Sequence, residues 1–334
     1  LCAAAFVLGA FLMPGRLTVG HLPPFDWSGF FALAIALIAL LSMMADGQRY
    51  GWSSNTILIR ALIAASCTGL FIILQLRAQS PLLDMTLFRN TAFTSAVLVA
   101  IVFGFGNMAS SYAIPVFVQT VQGYSATEAG LVLVPAGILL MAMFPISGRF
   151  ADRVTPHIPI MAGLVFFALG AILLSGSDTN TTFWNIAFFT MVGRLGMALI
   201  MPPLVSSAMR TLTPEQLNRG SGTLNFMRQL GGSVGINSLV LFMAQRTEFH
   251  SEALTATQTA GNPMIREFLD SVVTLLDESG VPSALHEAGA LHYLGTVIEA
   301  QAATQGFQDG FLFVSAVFIC ALIPTWILKR ATRK

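Results

Sequence analysis

The chain contains 334 residues, of which 55% are hydrophobic and only 10% are charged, and its mean hydropathy is +0.74. Soluble domains carry roughly 25% charged residues, so this composition excludes an ordinary soluble protein and indicates a polytopic membrane protein. The net charge of +1 leaves no basic stripe to neutralise phosphates, which argues against a nucleic-acid partner.

The apolar spans, taken in chain order, predict an all-α membrane protein with about eight full transmembrane helices. Residues 1–13 form an apolar run that is too short to cross a bilayer. We interpret this run as the end of a truncated transmembrane helix, which would make the chain a fragment of a longer protein. The eight predicted crossings are 27–45, 56–76, 92–118, 129–147, 158–175, 183–208, 220–243 and 307–328.

The basic residues predict which side of the membrane each connection faces. Alternating the connections places eleven Lys and Arg residues on one side and only three, Arg49, Arg246 and Arg266, on the other. Cytoplasmic loops carry the excess of basic residues, so the first side is expected to be cytoplasmic. The C-terminus lies on that side, and the expected location is the plasma membrane, which is the inner membrane in bacteria. Its connections are 14–26, 77–91, 148–157, 209–219 and 329–334.

Residues 244–306 differ from the rest of the chain because they hold eight acidic residues against two basic ones. Asn262 and Pro263 offer a cap and a first-turn proline, followed by apolar residues at helical spacing. A second helix is plausible from about Ser283 to Ala303. We therefore expect a helical excursion on the non-cytoplasmic side, either as a solvated spacer or as a docking or exit-path element.

A short motif, Gly148-Arg149-Phe150-Ala151-Asp152-Arg153, is predicted to lie in a tight cytoplasmic loop. Gly148 permits the turn, and Asp152 can accept hydrogen bonds from a helix N-terminus or from Arg149 and Arg153. Such a group can hold two helix ends together in one state and release them in another. The alternative is the ordinary excess of positive charge at the cytoplasmic side.

The predicted crossing 220–243 carries Asn225, Arg228 and Gln229 within a small and apolar sequence. At helical spacing these three residues share a face, which must look into other helices or a water-filled cavity. Gly231, Gly232 and Gly235 allow a neighbouring helix to approach closely.

One further arginine, Arg194, lies near the centre of crossing 183–208, where an unpaired charge is costly. It therefore needs a partner, for example a carboxylate elsewhere in a longer protein. The candidate cavity residues are Asn107, Tyr112, Arg194, Asn225, Arg228 and Gln229.

No chemistry of an enzyme is expected. Gly231 to Gly235 match the Gly-x-Ser-x-Gly pattern of serine hydrolases, but that pattern requires a preceding strand and here it lies in a predicted transmembrane helix. The sequence contains no phosphate-binding loop and no His-Glu-x-x-His motif, so neither a cofactor nor a metal is expected.

Four motifs together resemble the major facilitator superfamily. The motif 148–153 is similar to the superfamily's loop motif in its second-half copy. The stretch from Arg219 to Gly235 resembles the penultimate helix of the fourteen-helix drug:proton antiporters of the EmrB/QacA type. Asp26 to Gly29 and Ser80 to Arg89 are also similar to that branch.

The resemblance implies a partial major facilitator fold. Residues 27–76 would form two linker helices, and 92–328 would form the C-terminal six-helix half. It further implies a secondary transporter that exports multiple drugs or apolar and cationic compounds by alternating access, driven by protons. A periplasmic adaptor is a possible partner besides substrate, proton and lipid. Alternatives are export of a defined metabolite, such as a sugar, peptide or siderophore, or a non-transporting scaffold or subunit.

Overall fold

The computed structural model of the chain describes residues 25–78, 81–258 and 261–331. The expected end of a helix at 1–13 lies outside these residues. The described part contains ten α-helices and two short 3-10 helices, Met85–Arg89 and Ser283–Leu285, and no strand. The α-helices are α1 Trp27–Tyr50, α2 Asn55–Arg77, α3 Thr91–Thr120, α4 Ala126–Arg153, α5 His157–Ser175, α6 Phe183–Met209, α7 Leu217–Thr257, α8 Pro263–Glu278, α9 His286–Cys320 and α10 Leu322–Ala331.

Local chemistry explains where five of these ten helices begin. The side chains of Asp26, Ser54 and Asn90 accept hydrogen bonds from backbone N–H groups in the first turns of α1, α2 and α3. Ser125 and Glu128 form a capping box at the start of α4. Asn262 caps α8 with Pro263 in its first turn, as the sequence predicts.

Seven segments of the described chain are long and apolar enough to cross a membrane. They include α1 to α6, and the seventh runs from Ser283 to Arg330 through α9 and α10. The remaining predicted crossing, 220–243, falls within α7, which has the length of a crossing but lacks the required hydropathy. Its glycines and polar side chains lower the hydropathy, and such residues are expected where a helix packs within a bundle instead of facing lipid.

The segment 244–306 is helical as expected, but most of its helical residues belong to two helices that extend beyond it. α7 continues without a break from Leu217 to Thr257, and the helix expected at 283–303 is the first half of α9, which runs on to Cys320. Only α8 is a separate α-helix within this segment. A change from apolar to polar composition does not by itself end a helix. The polar parts of α7 and α9 contain Ala, Glu, Gln and Leu, which favour helices, and no proline interrupts them.

The main core lies among α3 to α7, α9 and α10. Its largest fully buried side chains include Phe93 and Phe117 of α3, Leu204 of α6, Leu239 of α7 and Phe318 of α9. α3 contributes the most extensive buried surface, since fully buried residues recur along its whole length. The sequence of α3 permits this position because it is apolar on all sides and rich in alanine and glycine.

A smaller core joins α1 and α2 to the rest of the molecule. Ala32, Phe71 and Leu83 are buried together, with Phe226 and Met227 of α7 against them. Gln75 is only 3% exposed; its Nε2 donates to Asp26 and its Oε1 accepts from the backbone N–H of Leu83, at 2.8 and 3.0 Å. The Gln75 side chain therefore links the start of α1 and the end of α2 to the segment that follows α2.

The connections that the charge count assigns to one side of the membrane also contact each other in the structure. Asn90 donates to the carbonyl of Thr211 at 3.1 Å, which joins the two arginine-rich connections 77–91 and 209–219. On the other side, Gln122 donates to the carbonyls of Asp178 and Thr181, and Gln308 donates to the carbonyl of Ser177. The described contacts therefore agree with the predicted alternation of the crossings.

Candidate functional site

Glycines bring the backbones of α3 and α7 into direct contact. A Cβ atom added to Gly231 would lie 2.8 Å from the Cα of Ile101, and one added to Gly235 would lie 2.7 Å from the Cα of Phe105. Gly104 of α3 faces the carbonyl oxygen of Arg228 in the same way. Side chains at these positions would push the two helices apart, so the glycines fix the position of the polar residues beside them.

Arg228 borders a cavity between α3, α6 and α7. Its Nη2 donates to Oδ1 of Asn225 at 2.6 Å, while its Nε is buried and has no hydrogen-bond partner among the described residues. The cavity has a volume of about 250 Å³. Its lining consists of Ala100, Met201, Leu204, Val205, Ser221, Gly222, Leu224, Asn225 and Arg228. The site therefore combines an apolar wall with one guanidinium and a few neutral polar groups.

Arg194 of α6 reaches across to α3. Its Nη1 donates to Oδ1 of Asn107 and its Nη2 donates to Oγ of Ser111, both at 3.0 Å, and Nη1 also lies 3.3 Å from the sulfur of Met197. These neutral acceptors orient the guanidinium but do not neutralise its charge. Ser111 is a member of this group that the sequence analysis missed, because a serine in an apolar helix carries no signal of its partner.

The residues of the two arginine groups and of the cavity wall fall on one stripe of each of the three helices. On α3 this stripe contains Ala100, Asn107 and Ser111, which are spaced by seven and four residues and so share one side of the helix. On α6 the same spacing relates Arg194, Met201 and Val205, and on α7 Ser221, Asn225 and Arg228 recur every three or four residues. We call these nine residues the polar face.

Two candidate residues lie apart from these groups. Gln229 is exposed and is absent from the lining of the cavity. Tyr112 is 38% exposed, and it does not line the cavity either. Helical rotation explains both results, since each residue directly follows a member of the polar face and is turned by about 100° from it.

The motif 148–153 is helical and does not form a loop. Gly148 to Arg153 make up the last turns of α4, and the chain turns afterwards, at 154–156. Gly148 therefore has no turn to permit, and a Cβ added there would meet open space. Arg149 and Arg153 are exposed, whereas the side chain of Asp152 lies outside the described part of the structure. Gating by this motif stays a prediction.

A polar cluster at the far end of α7 was also missed by the sequence analysis. Oδ2 of Asp309 on α9 lies 2.6 Å from Nε of Arg246 and 2.7 Å from Nε2 of His250. Arg246 and His250 are four residues apart on one helix, but nothing in the sequence indicates their partner on another helix. The described residues contain no group of three potential metal ligands.

Asp84 ties the start of α7 to the segment after α2. Its Oδ2 lies 3.4 Å from Nη1 of Arg219, and its Oδ1 accepts two hydrogen bonds from Thr86. Burial raises the pKa of Asp84, but the bonds from Thr86 and the Arg219 guanidinium outweigh it and hold that pKa below its usual value. The carboxylate therefore stays charged at neutral pH and anchors α7 next to the polar face.

The sequence profile of the Major Facilitator Superfamily matches residues 1–236, which is more than half of the chain. The chain is 26% identical to the multidrug export protein EmrB of Haemophilus influenzae, over 92% of this chain and 59% of that protein. It is 24% identical to the multidrug resistance protein Stp of Mycobacterium tuberculosis, over 90% of this chain and 56% of that protein. It is 30% identical to the multidrug transporter protein MdtP of Bacillus subtilis, over 70% of this chain and 43% of that protein.

The fold also matches a solved transporter. A bacterial homologue of the human lysosomal transporter Spinster, in an inward-facing and occupied conformation, has a TM-score of 0.51 and 14% identity. The match covers 91% of this chain and 65% of that one. The chain thus spans about half the length of the curated relatives it matches and about two thirds of the solved one.

Proposed function

Because the chain belongs to the major facilitator superfamily, we propose that it works within a proton-coupled exporter of multiple apolar or cationic compounds. The observation that carries this proposal is the polar face, where arginine, asparagine and serine side chains border a cavity inside an otherwise apolar bundle. Polar groups at membrane depth are expensive and usually serve a pathway for substrate or ions. The names of the curated relatives, which are multidrug proteins, support the choice of substrates.

Transport would proceed by alternating access. In secondary transporters the substrate site lies near the membrane midplane, between two halves that rock against each other. The polar face is the side of α3, α6 and α7 that would meet a second half. Prolines within the helices, including Pro115, Pro145 and the pair Pro202 and Pro203, provide bends at which these helices can change shape.

The proton-binding group of such an exporter would come from outside the polar face. None of the nine residues of that face is acidic, so these positions offer no carboxylate to carry a proton.

We place the arginine-rich side in the cytoplasm and the exporter in the plasma membrane. A periplasmic adaptor would contact the ends of α7 and α9, where Glu248, Glu252 and Glu299 line an open groove.

Dye efflux from cells tests this proposal. The full-length protein, its Arg228→Ala variant and an Arg77→Ala control at equal expression would be compared with one neutral and one cationic fluorescent dye. Arg77 is an exposed residue at the end of α2, far from the polar face in the sequence. We expect efflux that stops when the proton gradient is collapsed, and efflux of the neutral dye that falls at least about tenfold in Arg228→Ala and not in Arg77→Ala.

Other results would select another function. If neither dye moves while a gradient is present, multidrug export is wrong, and a screen of sugars, peptides and siderophores follows for the metabolite alternative. If no compound moves in that screen, the scaffold or subunit alternative remains. Efflux that persists without a proton gradient would contradict the proposed coupling.

A further inference from the structure

The arginines of the polar face differ from three other arginines of the described chain in having no carboxylate partner. Three arginines elsewhere contact a carboxylate: Arg60 with Asp46 at 2.5 Å, Arg219 with Asp84 at 3.4 Å, and Arg246 with Asp309 at 2.6 Å. Arg194 and Arg228 contact only neutral acceptors, namely asparagine, serine and methionine side chains. Within the described residues, the polar face therefore carries two positive charges without a counter-ion.

Both arginines are half-buried and lie far from the ends of their helices. Arg194 and Arg228 are each three turns from the start of their helices, which is roughly 16 Å at 1.5 Å per residue. At that depth the surroundings have a low dielectric constant, so an uncompensated guanidinium is unstable and attracts an anion strongly. The buried and unpartnered Nε of Arg228 adds a free donor on the border of the cavity.

The cavity next to Arg228 has the composition of a site for an amphipathic molecule. Its volume is about 250 Å³, and Met201, Leu204 and Val205 of α6 form an apolar wall opposite Asn225 and Arg228. An acidic group at Arg228 would neutralise the charge and use the free Nε donor, while an apolar body would contact the α6 wall. A cationic group would meet the like charge of Arg228 instead, which costs free energy at short range.

We propose that the polar face binds the acidic group of an amphipathic substrate, with Arg228 as its principal contact and Arg194 adding positive potential. This inference rests on the proposed transport function and narrows its substrates to compounds that carry a carboxylate or a similar anion. For this site, the expected substrates are therefore anionic compounds instead of cationic ones. A guanidinium can donate two parallel hydrogen bonds to a carboxylate, which makes the contact both strong and directional.

An acid and its methyl ester of the same shape test the proposal directly. Binding of a fluorescent naphthalene carboxylate and of its methyl ester to the purified full-length protein would be measured at neutral pH. We expect the acid to bind at least about tenfold more tightly, since hydrogen bonds to a charged group are stronger than those to a neutral one. In Arg228→Gln this preference should disappear with little change in ester binding, and Arg228→Lys should keep part of it.

Arg77→Gln is the matched control and should keep the preference for the acid. If the acid binds no more tightly than the ester to the wild-type protein, the proposal is wrong, and a carboxylate from another part of the protein would then be the counter-ion. Equal weakening of acid and ester in a folded Arg228→Gln variant would also overturn it, because that result indicates a structural role.

A second measurement needs no variant. Lowering the pH through the pKa of the probe protonates its carboxylate, so the advantage of the acid over the ester should vanish in the wild-type protein. An advantage that persists below that pKa would contradict the proposed contact. If the cationic dye is exported but the protein does not bind the acid more tightly than the ester, this inference is wrong and the transport function stands. If no compound is exported, the proposed transport function itself is wrong.

Discussion

Single glycines determine how closely α3 and α7 approach. We predict that Gly231→Ala lowers the stability of the protein by roughly 1–3 kcal/mol, because the added methyl group would overlap the backbone of Ile101 and force the helices apart. Thermal unfolding in detergent would measure the change.

Gly222→Ala on the same helix is the matched control. A Cβ atom at Gly222 would meet nothing within 4 Å. We therefore expect this substitution to be neutral or to stabilise by up to about 1 kcal/mol through helix propensity. Equal effects of the two substitutions would show that Gly231 does not act through close packing.

At the residue scale, the sequence indicated which polar residues matter better than how they pair. Arg194, Asn225 and Arg228 are conspicuous because charged or amide side chains are rare in apolar spans. Their partners depend on the rotation and depth of neighbouring helices, which the pattern of one helix does not contain. For this reason Ser111 was missed, and of the six candidate cavity residues only Asn225 and Arg228 line the cavity.

The link between α7 and the segment after α2 depends on pH through Asp84. Its pKa is lowered in the folded protein, so its contribution to stability is complete above the unfolded pKa of about 3.9 and is lost as the pH falls through the folded value. We therefore expect the Tm difference between wild type and Asp84→Asn to be constant from pH 7 to about 5 and to shrink below about 4.

Thermal unfolding between pH 3 and pH 7 would check this. Asp270→Asn, which removes an exposed carboxylate of α8, is the control and should leave the Tm almost unchanged at each pH. A Tm difference for Asp84→Asn that grows towards low pH would have the wrong sign for a carboxylate stabilised in its charged form.

At the scale of helices, the apolar spans predicted α1 to α6 well because hydropathy and helix length agree there. The prediction failed where composition changes inside a helix. α7 and α9 continue into a polar region, and α4 continues through the motif at 148–153, so a change in polarity was mistaken for an end. Helices end where backbone hydrogen bonding is interrupted, and composition alone does not mark such positions.

At the scale of the whole molecule, the sidedness of the connections can be measured. In full-length protein whose native cysteines have been replaced, we expect Asn180→Cys and Ser271→Cys to react with a membrane-impermeant maleimide in intact cells. Thr213→Cys should react only after permeabilisation, because it lies on the arginine-rich side. All three positions are exposed, so local burial would not explain a difference.

Labelling of Thr213→Cys in intact cells would reverse the proposed orientation. Sidedness stays a prediction, and it rests on a count of charges that needs no knowledge of packing. The contact of α3 with α6 and α7 could not be predicted in this way, since α3 is far from both helices in the chain and meets them only in the folded bundle.

The length of α7 has a mechanical consequence. Its 41 residues form one rod of about 60 Å, about twice the thickness of the hydrocarbon layer. If α7 tilts by only about 5° about one end, its other end moves sideways by about 5 Å. A small displacement beside Arg228 would thus be amplified outside the membrane, where a spectroscopic label at Thr255 would register it.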